Sequence, residues 1–303
     1  MRLAVLADIH GNLPALEAVL ADLAQFEIDR IIVAGDHLAH GPNPAETIRL
    51  LRSLDAWMIR GNTDNRLLSY DAGDVPDEWY VSHQWAALRW VHQRLDRESL
   101  ELVAAMPERC VVPIDGTAPI CVVHGSLQSP SEHTYPDRDP AALQLFAQAG
   151  LLSQDGDPPS LAQILDQIDE PVLICGHSHI PWQQEENGRL ALNPGAVGAP
   201  LGDVCAQYAL LIWQGNRWRV EHRAVPYDIG RVRMAYRKSG LLDVGGAPTR
   251  AFLLGIETGQ AVLGHFASHV QRLATEAGCE ERAVVPADVW ERAVATFDWS
   301  RFS

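Results

Sequence analysis

Short apolar runs alternate with amphipathic segments over the first sixty residues of the chain. Residues 3–8, 30–35 and 56–60 form short, largely apolar runs of the kind that buried strands show. Between the first two runs, leucine and valine recur at helical spacing, and Asn43 followed by Pro44 is typical of the start of a second helix. This order of strand, helix, strand, helix and strand predicts a parallel sheet with helices on its faces.

Later segments extend this α/β pattern with less regularity. Residues 65–109 begin with an acidic stretch and continue as two predicted helices that carry Trp79, Trp85 and Trp90. Further helices are predicted near residues 140–150 and 160–168. Further strands are predicted at 110–114, 119–123, 171–175, 189–193, 207–213 and 217–224.

The chain is predicted to be helical from Asp228 onward, with a Gly-Gly turn at 245–246. We therefore expect two domains: residues 1–227, with a helical insertion at about 65–109, and a C-terminal helical extension at 228–303. An apolar face of the extension must be buried, either on the rest of the chain or in a homodimer. The residues of this face are Val262, Phe266, Val270 and Leu273.

Five short polar segments share one position, since each lies at the C-terminal end of a predicted strand or in the turn after it. Open α/β sheets bind ligands beyond the carboxyl ends of their strands, so we expect these segments to converge. Glycine precedes three of the polar side chains, where tight turns need unusual backbone angles. A donor set with four imidazoles suits borderline divalent metals such as Mn, Fe, Co, Ni or Zn better than Ca or Mg. The candidate metal ligands are Asp8, His10, Asp36, Asn62, His124, His177 and His179.

In their order along the chain, the motifs Asp-x-His, Gly-Asp, Gly-Asn-x-Asp, His-Gly and Gly-His-x-His resemble those of the calcineurin-like metallophosphoesterase family. Residues 35–44 and 193–198 resemble the small bacterial phosphodiesterase and phosphatase branch of that family. The resemblance covers about residues 1–226 and makes residues 1–227 the expected catalytic domain. It implies an α/β fold with four layers, αββα, in which two mixed β-sheets lie face to face between helices.

The family pattern also implies a centre with two divalent transition-metal ions and, as nucleophile, a hydroxide that bridges them. Manganese is favoured, with iron, zinc, nickel and cobalt as alternatives. Asp36 is the implied bridging ligand. The implied ligands of the first ion are Asp8, His10 and His179, and those of the second are Asn62, His124 and His177.

The position after Asn62 departs from the family pattern. Many members have a histidine there that helps to protonate the leaving group, whereas the hydroxyl of Thr63 is far too weak an acid for that role. His40 and His37, in the loop after Asp36, are the candidates for the general acid, and His40 is favoured. The alternative is that His40 is a solvated loop histidine.

Three residues are candidates for contacts with the substrate. Asn62 lies within the metal motif, and the guanidinium of Arg60 suits phosphate oxygens, although a solvated salt bridge is the alternative. His37 directly follows the bridging Asp36. Its side chain either reaches the substrate or points away from the metals.

The net charge of the chain limits the kinds of partner that it can bind. The formal net charge is −15 and the pI is about 5.1, which disfavours binding to long nucleic acids or acidic membranes. No apolar run approaches the roughly 18–20 residues of a membrane span, and five cysteines without paired spacing fit a reducing cytoplasm. We expect a cytoplasmic hydrolase of small, soluble phosphate monoesters or diesters. The alternatives are a nuclease, or a non-catalytic protein-binding scaffold of the same fold, which would be expected to lack metal ligands.

Overall fold

The computed structural model describes residues 1–152 and 159–302 and contains two five-stranded sheets. The strands are β1 (Arg2–Leu6), β2 (Arg30–Val33), β3 (Ala56–Met58), β4 (Arg109–Val112), β5 (Ile120–Val123), β6 (Val172–Ile174), β7 (Pro181–Glu186), β8 (Arg189–Pro194), β9 (Ala206–Gln214) and β10 (Arg217–Val225). The first sheet has the order β10-β9-β1-β2-β3, and the second has the order β4-β5-β6-β8-β7. Both sheets are mixed, as expected.

Eleven α-helices and three short 3₁₀ turns lie among the described residues. The helices are α1 (Leu13–Leu23), α2 (Pro44–Arg52), α3 (Asn62–Ala72), α4 (Ala86–His92), α5 (Arg97–Ala105), α6 (Pro140–Ala149), α7 (Leu161–Leu165), α8 (Ile229–Ser239), α9 (Leu241–Thr258), α10 (Val262–Glu276) and α11 (Ala287–Thr296). The 3₁₀ turns are Asp77–Tyr80, His83–Trp85 and Trp299–Phe302. Within the described ranges, none of these helices has the combination of length and apolarity that crossing a membrane requires.

The first sheet confirms the prediction from the N-terminal pattern. Strands β1, β2 and β3 pair in parallel, with α1 and α2 as the crossovers between them. Strands β9 and β10 add an antiparallel hairpin whose two turn residues, Gly215 and Asn216, have φ of 60° and 58°. Positive φ at both central residues is the type I′ geometry that matches strand twist, which explains the Gly-Asn pair.

The second sheet contains one strand that the sequence pattern did not predict. Along β7 the burial alternates, but its inward positions include Gln184 and Glu186 as well as Trp182. The side chain of Gln184 accepts a hydrogen bond from the backbone of Arg138 at 2.9 Å, and Glu186 pairs with the same arginine at 2.6 Å. Because two of its three inward positions are polar, the strand lacks the apolar alternation from which strands are predicted.

The two sheets pack face to face and form the main core. Leu3, Val5 and Ile32 of the first sheet lie in one buried cluster with Val122 and Ile174 of the second. A second cluster joins α1 to the outer face of the first sheet, and another joins α6 and α7 to the outer face of the second. This arrangement is the expected αββα sandwich.

Helix α3 begins inside a predicted metal motif rather than after it. Gly61 is its N-cap, and the carboxylate of Asp64 accepts the backbone N–H of Gly61 at 3.0 Å. The sequence pattern predicted that residues 61–64 lie at the end of a strand or in the turn after it. The structure therefore presents Asn62 from the first turn of a helix.

The C-terminal helices α8 to α11 follow directly after β10. Val232 and Tyr236 of α8 are buried with Leu38 and Ile48 in one cluster. The Gly-Gly pair produces a kink within α9, where Gly246 has φ 59° and ψ −141°. The predicted apolar face of α10 is buried against α11 within the same chain, so the face that suggested a homodimer is already covered. The division into two domains stays a prediction.

Tyr236 links this helical region to the loop that carries His40, because its fully buried hydroxyl donates to the His40 carbonyl at 2.9 Å. We expect Tyr236→Phe to lower the free energy of unfolding by about 1 kcal/mol through loss of this hydrogen bond. Tyr236→Ala should cost about 3–5 kcal/mol because it also leaves a cavity. Urea denaturation measures both. The exposed Met234 lies on the same helix, and Met234→Ala should change stability by less than about 0.5 kcal/mol. Equal losses in all three variants would contradict a stabilising role of the hydrogen bond from Tyr236 to His40.

Candidate metal centre

The predicted ligands converge at one end of the sandwich. Asp8 and His10 follow β1, Asp36 follows β2, His124 follows β5, and His179 lies in the loop after β6. In two compact groups every potential ligand atom lies within 4.8 Å of the others in its group. One group is Asp8, His10 and His179, and the other is Asp8, Asp36 and His124.

The backbone at these positions has an unusual conformation. Eight non-glycine residues in the described part of the chain have positive φ, and six of them lie at or beside the site. Such angles cost of order 1–3 kcal/mol each and persist only where surrounding contacts enforce them. The six residues are Asp8, His10, Asp36, His40, His177 and His179. The strained loops therefore aim the side chains inward.

Backbone carbonyls set the tautomers of three histidines. In each ring Nδ1 faces a carbonyl oxygen, to which it donates its proton, so Nε2 is the nitrogen that points into the site. The Nδ1–oxygen distances are 3.2 Å from His10 to Ala39, 2.7 Å from His124 to Ala34 and 2.7 Å from His179 to Ala199.

The free nitrogens face each other and a carboxylate. Nε2 of His10 and Nε2 of His179 are 3.1 Å apart, and Oδ1 of Asp8 lies 3.4 Å from the latter. While both rings are neutral, with the proton on Nδ1, neither Nε2 can donate a hydrogen bond. The buried Asp8 Oδ1 has no hydrogen-bond partner among the described residues. Three acceptors that point at one another fit a bound cation.

The second group of ligand atoms surrounds His124. Its Nε2 lies 3.4 Å from Oδ1 of Asp36 and 3.1 Å from Oδ1 of Asn62. The His177 ring lies 5.3 Å from that of His124, centroid to centroid. Nε2 of His177 donates to the carbonyl of Ser131 at 3.1 Å, so Nδ1 is the nitrogen left free for a ligand bond.

The electrostatics of the site are those of buried carboxylates among imidazoles. Burial would raise the pKa of Asp36, but the neighbouring His124 and His10 hold that pKa well below its usual range. Burial disfavours the charged form of His124, yet the adjacent Asp36 raises the pKa of His124 to about 10. Burial lowers the pKa of His10 well below its usual value and that of His177 to about 2. The carboxylate of Asp36 stays ionised and attracts positive charge.

A second layer of hydrogen bonds holds the ligand loops. The carboxylate of Asp64 accepts the backbone N–H of Gly61 at 3.0 Å and that of His37 at 3.1 Å. The amide of Asn193 donates to the carbonyl of Gly176 at 2.6 Å and to the hydroxyl of Ser178 at 3.1 Å. Asp64 therefore joins the Asp36 loop to helix α3, and Asn193 pins the Gly-His-Ser-His loop.

Two of the candidate substrate contacts, His37 and Arg60, bind other groups of the protein. His37 is fully buried, and its Nδ1 lies 2.7 Å from Oδ2 of Asp64, so the ring has no surface to offer a substrate. Arg60 donates to the carbonyl of Ala104 at 3.2 Å and approaches Glu108 at 3.4 Å. The buried His37 points towards Asp64, and the guanidinium of Arg60 takes part in a salt bridge.

His40 lies beside the site and is partly buried. Its ring stacks on Phe252 with a centroid distance of 4.8 Å and an interplanar angle of 23°, and it lies 5.6 Å from the ring of His10. Burial lowers the pKa of His40 to about 4. Thr63, in contrast, contributes its backbone N–H, which donates to Oδ1 of Asp36 at 2.9 Å.

Sequence reasoning missed two residues at this site. His133 stacks on His177 with a centroid distance of 4.4 Å, and burial lowers the pKa of His133 to about 4. Phe252 comes from α9, far along the chain, and packs against the rings of both His40 and His10. Neither residue belongs to a motif or directly follows a strand, so no local signal marks it.

The role of Asp64 can be tested in protein without metal. Asp64→Asn replaces an acceptor of several N–H groups with an amide whose NH₂ would face them, so we expect a loss of about 1–3 kcal/mol in the free energy of unfolding. Urea denaturation in the presence of a chelator gives this value. The exposed carboxylate Asp74 is the control, and Asp74→Asn should leave stability within about 0.5 kcal/mol. An unchanged midpoint for Asp64→Asn would refute the proposed role.

Comparisons with known proteins agree with this geometry. The model of the calcineurin-like phosphoesterase superfamily domain matches residues 1–216. An uncharacterised protein of Methanocaldococcus jannaschii is 28% identical over 251 residues, which cover 78% of this chain and 90% of that protein. Phosphodiesterase YfcE of Escherichia coli strain K12 is 26% identical over 211 residues, or 70% of this chain and 87% of YfcE.

A solved structure is similar over most of its length. The crystal structure of a metallophosphoesterase from Sphaerobacter thermophilus has a TM-score of 0.62 and 28% sequence identity, and the match covers 84% of this chain and 98% of that one. Fold, converging motifs and family model agree. The chain belongs to the calcineurin-like phosphoesterase superfamily, a family of metal-dependent hydrolases of phosphate esters.

Proposed function

We propose that this protein hydrolyses small, soluble phosphate monoesters or diesters with two divalent transition-metal ions. One observation carries the proposal: Nε2 of His10 and Nε2 of His179 face each other at 3.1 Å beside a buried carboxylate oxygen that has no partner among the described residues. A cation bound between them relieves that arrangement while all three groups keep their positions. Family membership makes phosphate-ester hydrolysis the reaction that such a centre serves.

The distances support the division of ligands between two ions. In this proposal Asp36 contributes to both, because its Oδ2 lies 3.7 Å from Nε2 of His10 and its Oδ1 lies 3.4 Å from Nε2 of His124. The remaining ligands of the first ion are Asp8, His10 and His179, and those of the second are Asn62, His124 and His177. His177 binds through Nδ1, since its Nε2 is engaged by Ser131.

Bound here, divalent ions supply Lewis acidity, which activates water near neutral pH and neutralises phosphoryl oxygens. The protein's own residues orient this chemistry: carbonyls fix the imidazole tautomers, and Asp64 and Asn193 hold the ligand loops. The mixture of carboxylate, amide and imidazole donors without a thiolate favours manganese, with iron, zinc, nickel and cobalt as alternatives. The net charge of −15 favours small substrates over long polyanions.

Metal content tests the centre itself. We expect close to two transition-metal ions per chain after reconstitution with Mn, measured by elemental analysis, and hydrolysis of p-nitrophenyl phosphate esters that a chelator abolishes. Asp36→Ala should lose both ions more readily than His10→Ala, because only Asp36 is assigned to both. Asp74→Ala, at an exposed carboxylate, serves as the control. Reconstituted protein without bound metal would overturn the proposed function.

The role of His40 is tested by the choice of leaving group. Alkyl esters need a proton on the departing oxygen, whereas p-nitrophenolate does not, and general acid catalysis is worth about 10²–10⁴-fold. If His40 is the acid, His40→Ala should slow alkyl esters by about 10²-fold or more and leave p-nitrophenyl esters nearly unchanged. The exposed His83 offers a control in His83→Ala. Equal losses on both substrates would assign His40 a structural role, and no loss would exclude it from the reaction.

A further inference from the structure

A cavity of about 240 Å³ opens directly beside the metal centre. His177, Ser178 and His179 form part of its wall, so a group attached to a phosphate at the metal ligands lies within reach of the cavity. Much of the remaining wall comes from helices α9 and α10, through Phe252 and Ala267 among others. The cavity is therefore continuous with the site and is built largely by the C-terminal helices.

The wall of the cavity is apolar. The described residues that line it include no Asp, Glu, Lys or Arg, and beside the two histidines its only polar side chains are Ser178 and the exposed Gln260. A second phosphate or a carboxylate would lose its hydration there without gaining a counter-charge. An uncharged apolar group, in contrast, is stabilised by leaving water.

The volume limits the size of that group. A cavity of roughly 150 Å³ lined by aliphatic and aromatic side chains is known to bind benzene. At about 240 Å³, this cavity has room for one aromatic ring with a few further carbon atoms, or for a short branched alkyl chain. Phe252, which already stacks on His40, offers an aromatic surface at the end nearest the metal ligands.

We propose that this cavity binds an uncharged aryl or alkyl group of the phosphate ester and thereby determines substrate specificity. The proposal rests on the proposed function and goes beyond it by naming the class of organic group. The family model ends at residue 216, whereas α9 and α10 span residues 241–276, so this wall is a property of the chain's own C-terminal region. The helical extension thus serves in selection as well as in packing.

The test varies the retained group while the leaving group stays constant. Manganese-loaded, full-length protein is given methyl, butyl, benzyl and 3-carboxypropyl p-nitrophenyl phosphodiesters. Each buried methylene is worth about fourfold in binding, so kcat/KM for the butyl and benzyl esters should exceed that for the methyl ester by tenfold or more. The 3-carboxypropyl ester should lose this gain, because its carboxylate meets an apolar wall.

Two variants on α10 connect the preference to the cavity. Ala267 lines the cavity at its exposed mouth, whereas the neighbouring Ser268 is exposed and does not line it. Ala267→Trp should lower the ratio of benzyl to methyl kcat/KM at least tenfold by filling the space. Ser268→Trp adds the same side chain one position away and should keep the ratio of the unmodified protein.

Binding without turnover separates this proposal from the proposed function. Calorimetry should show that benzylphosphonate binds the manganese-loaded protein at least tenfold more tightly than methylphosphonate, and that Ala267→Trp removes the difference. This result without hydrolysis of any ester would support the cavity and refute the phosphoesterase function. Hydrolysis with equal kcat/KM for all four esters, or equal effects of Ala267→Trp and Ser268→Trp, would overturn the cavity proposal and leave the phosphoesterase function standing.

Discussion

Two carboxyl groups, those of Asp8 and Asp36, are held together in the interior at the ends of adjacent parallel strands, and the rest of the site is arranged around them. Their oxygens lie within 4.8 Å of each other's in a single group with His124. Buried charges of like sign are costly unless they are paired. Backbone N–H groups of His177 and Thr63 and the surrounding imidazoles compensate them in part, and the remaining negative potential favours divalent cations.

Holding the carboxylates there requires loops that pass unusually close to each other. A Cβ on Gly61 would lie 2.0 Å from Oδ1 of Asp36, so any side chain at this position would clash with that carboxylate. The backbone of Gly61 is not the reason for glycine, since its φ is an ordinary −98°. Gly35 instead has φ +94°, which a side chain would oppose. Backbone strain at the ligands themselves is enforced by the two packed sheets below, which have no freedom to relax it.

The C-terminal helices complete the site from above. The hydroxyl of Tyr236 donates to the carbonyl of His40, and Phe252 stacks on the His40 ring. The helices that cover an apolar surface of the sandwich therefore also position this candidate proton donor. In the proposed function, phosphate is recognised at the strand ends, and the proposed cavity assigns recognition of the organic group to α9 and α10. This separation allows a family reaction to acquire a specificity of its own without a change in the ligand loops.

Much of the site could be predicted from the sequence because its signals are local. A short apolar run predicts where a strand ends, and the polar residues beside a glycine predict which side chains lie at that end. Because strand ends meet at one edge of a sheet, Asp8, Asp36 and His124 converge. Which surfaces meet across long separations was decided only by the tertiary structure. Phe252 reaches His40 through packing, and the buried Glu186 of β7 pairs with the distant Arg138. No periodicity encodes such contacts, since each depends on how whole layers pack.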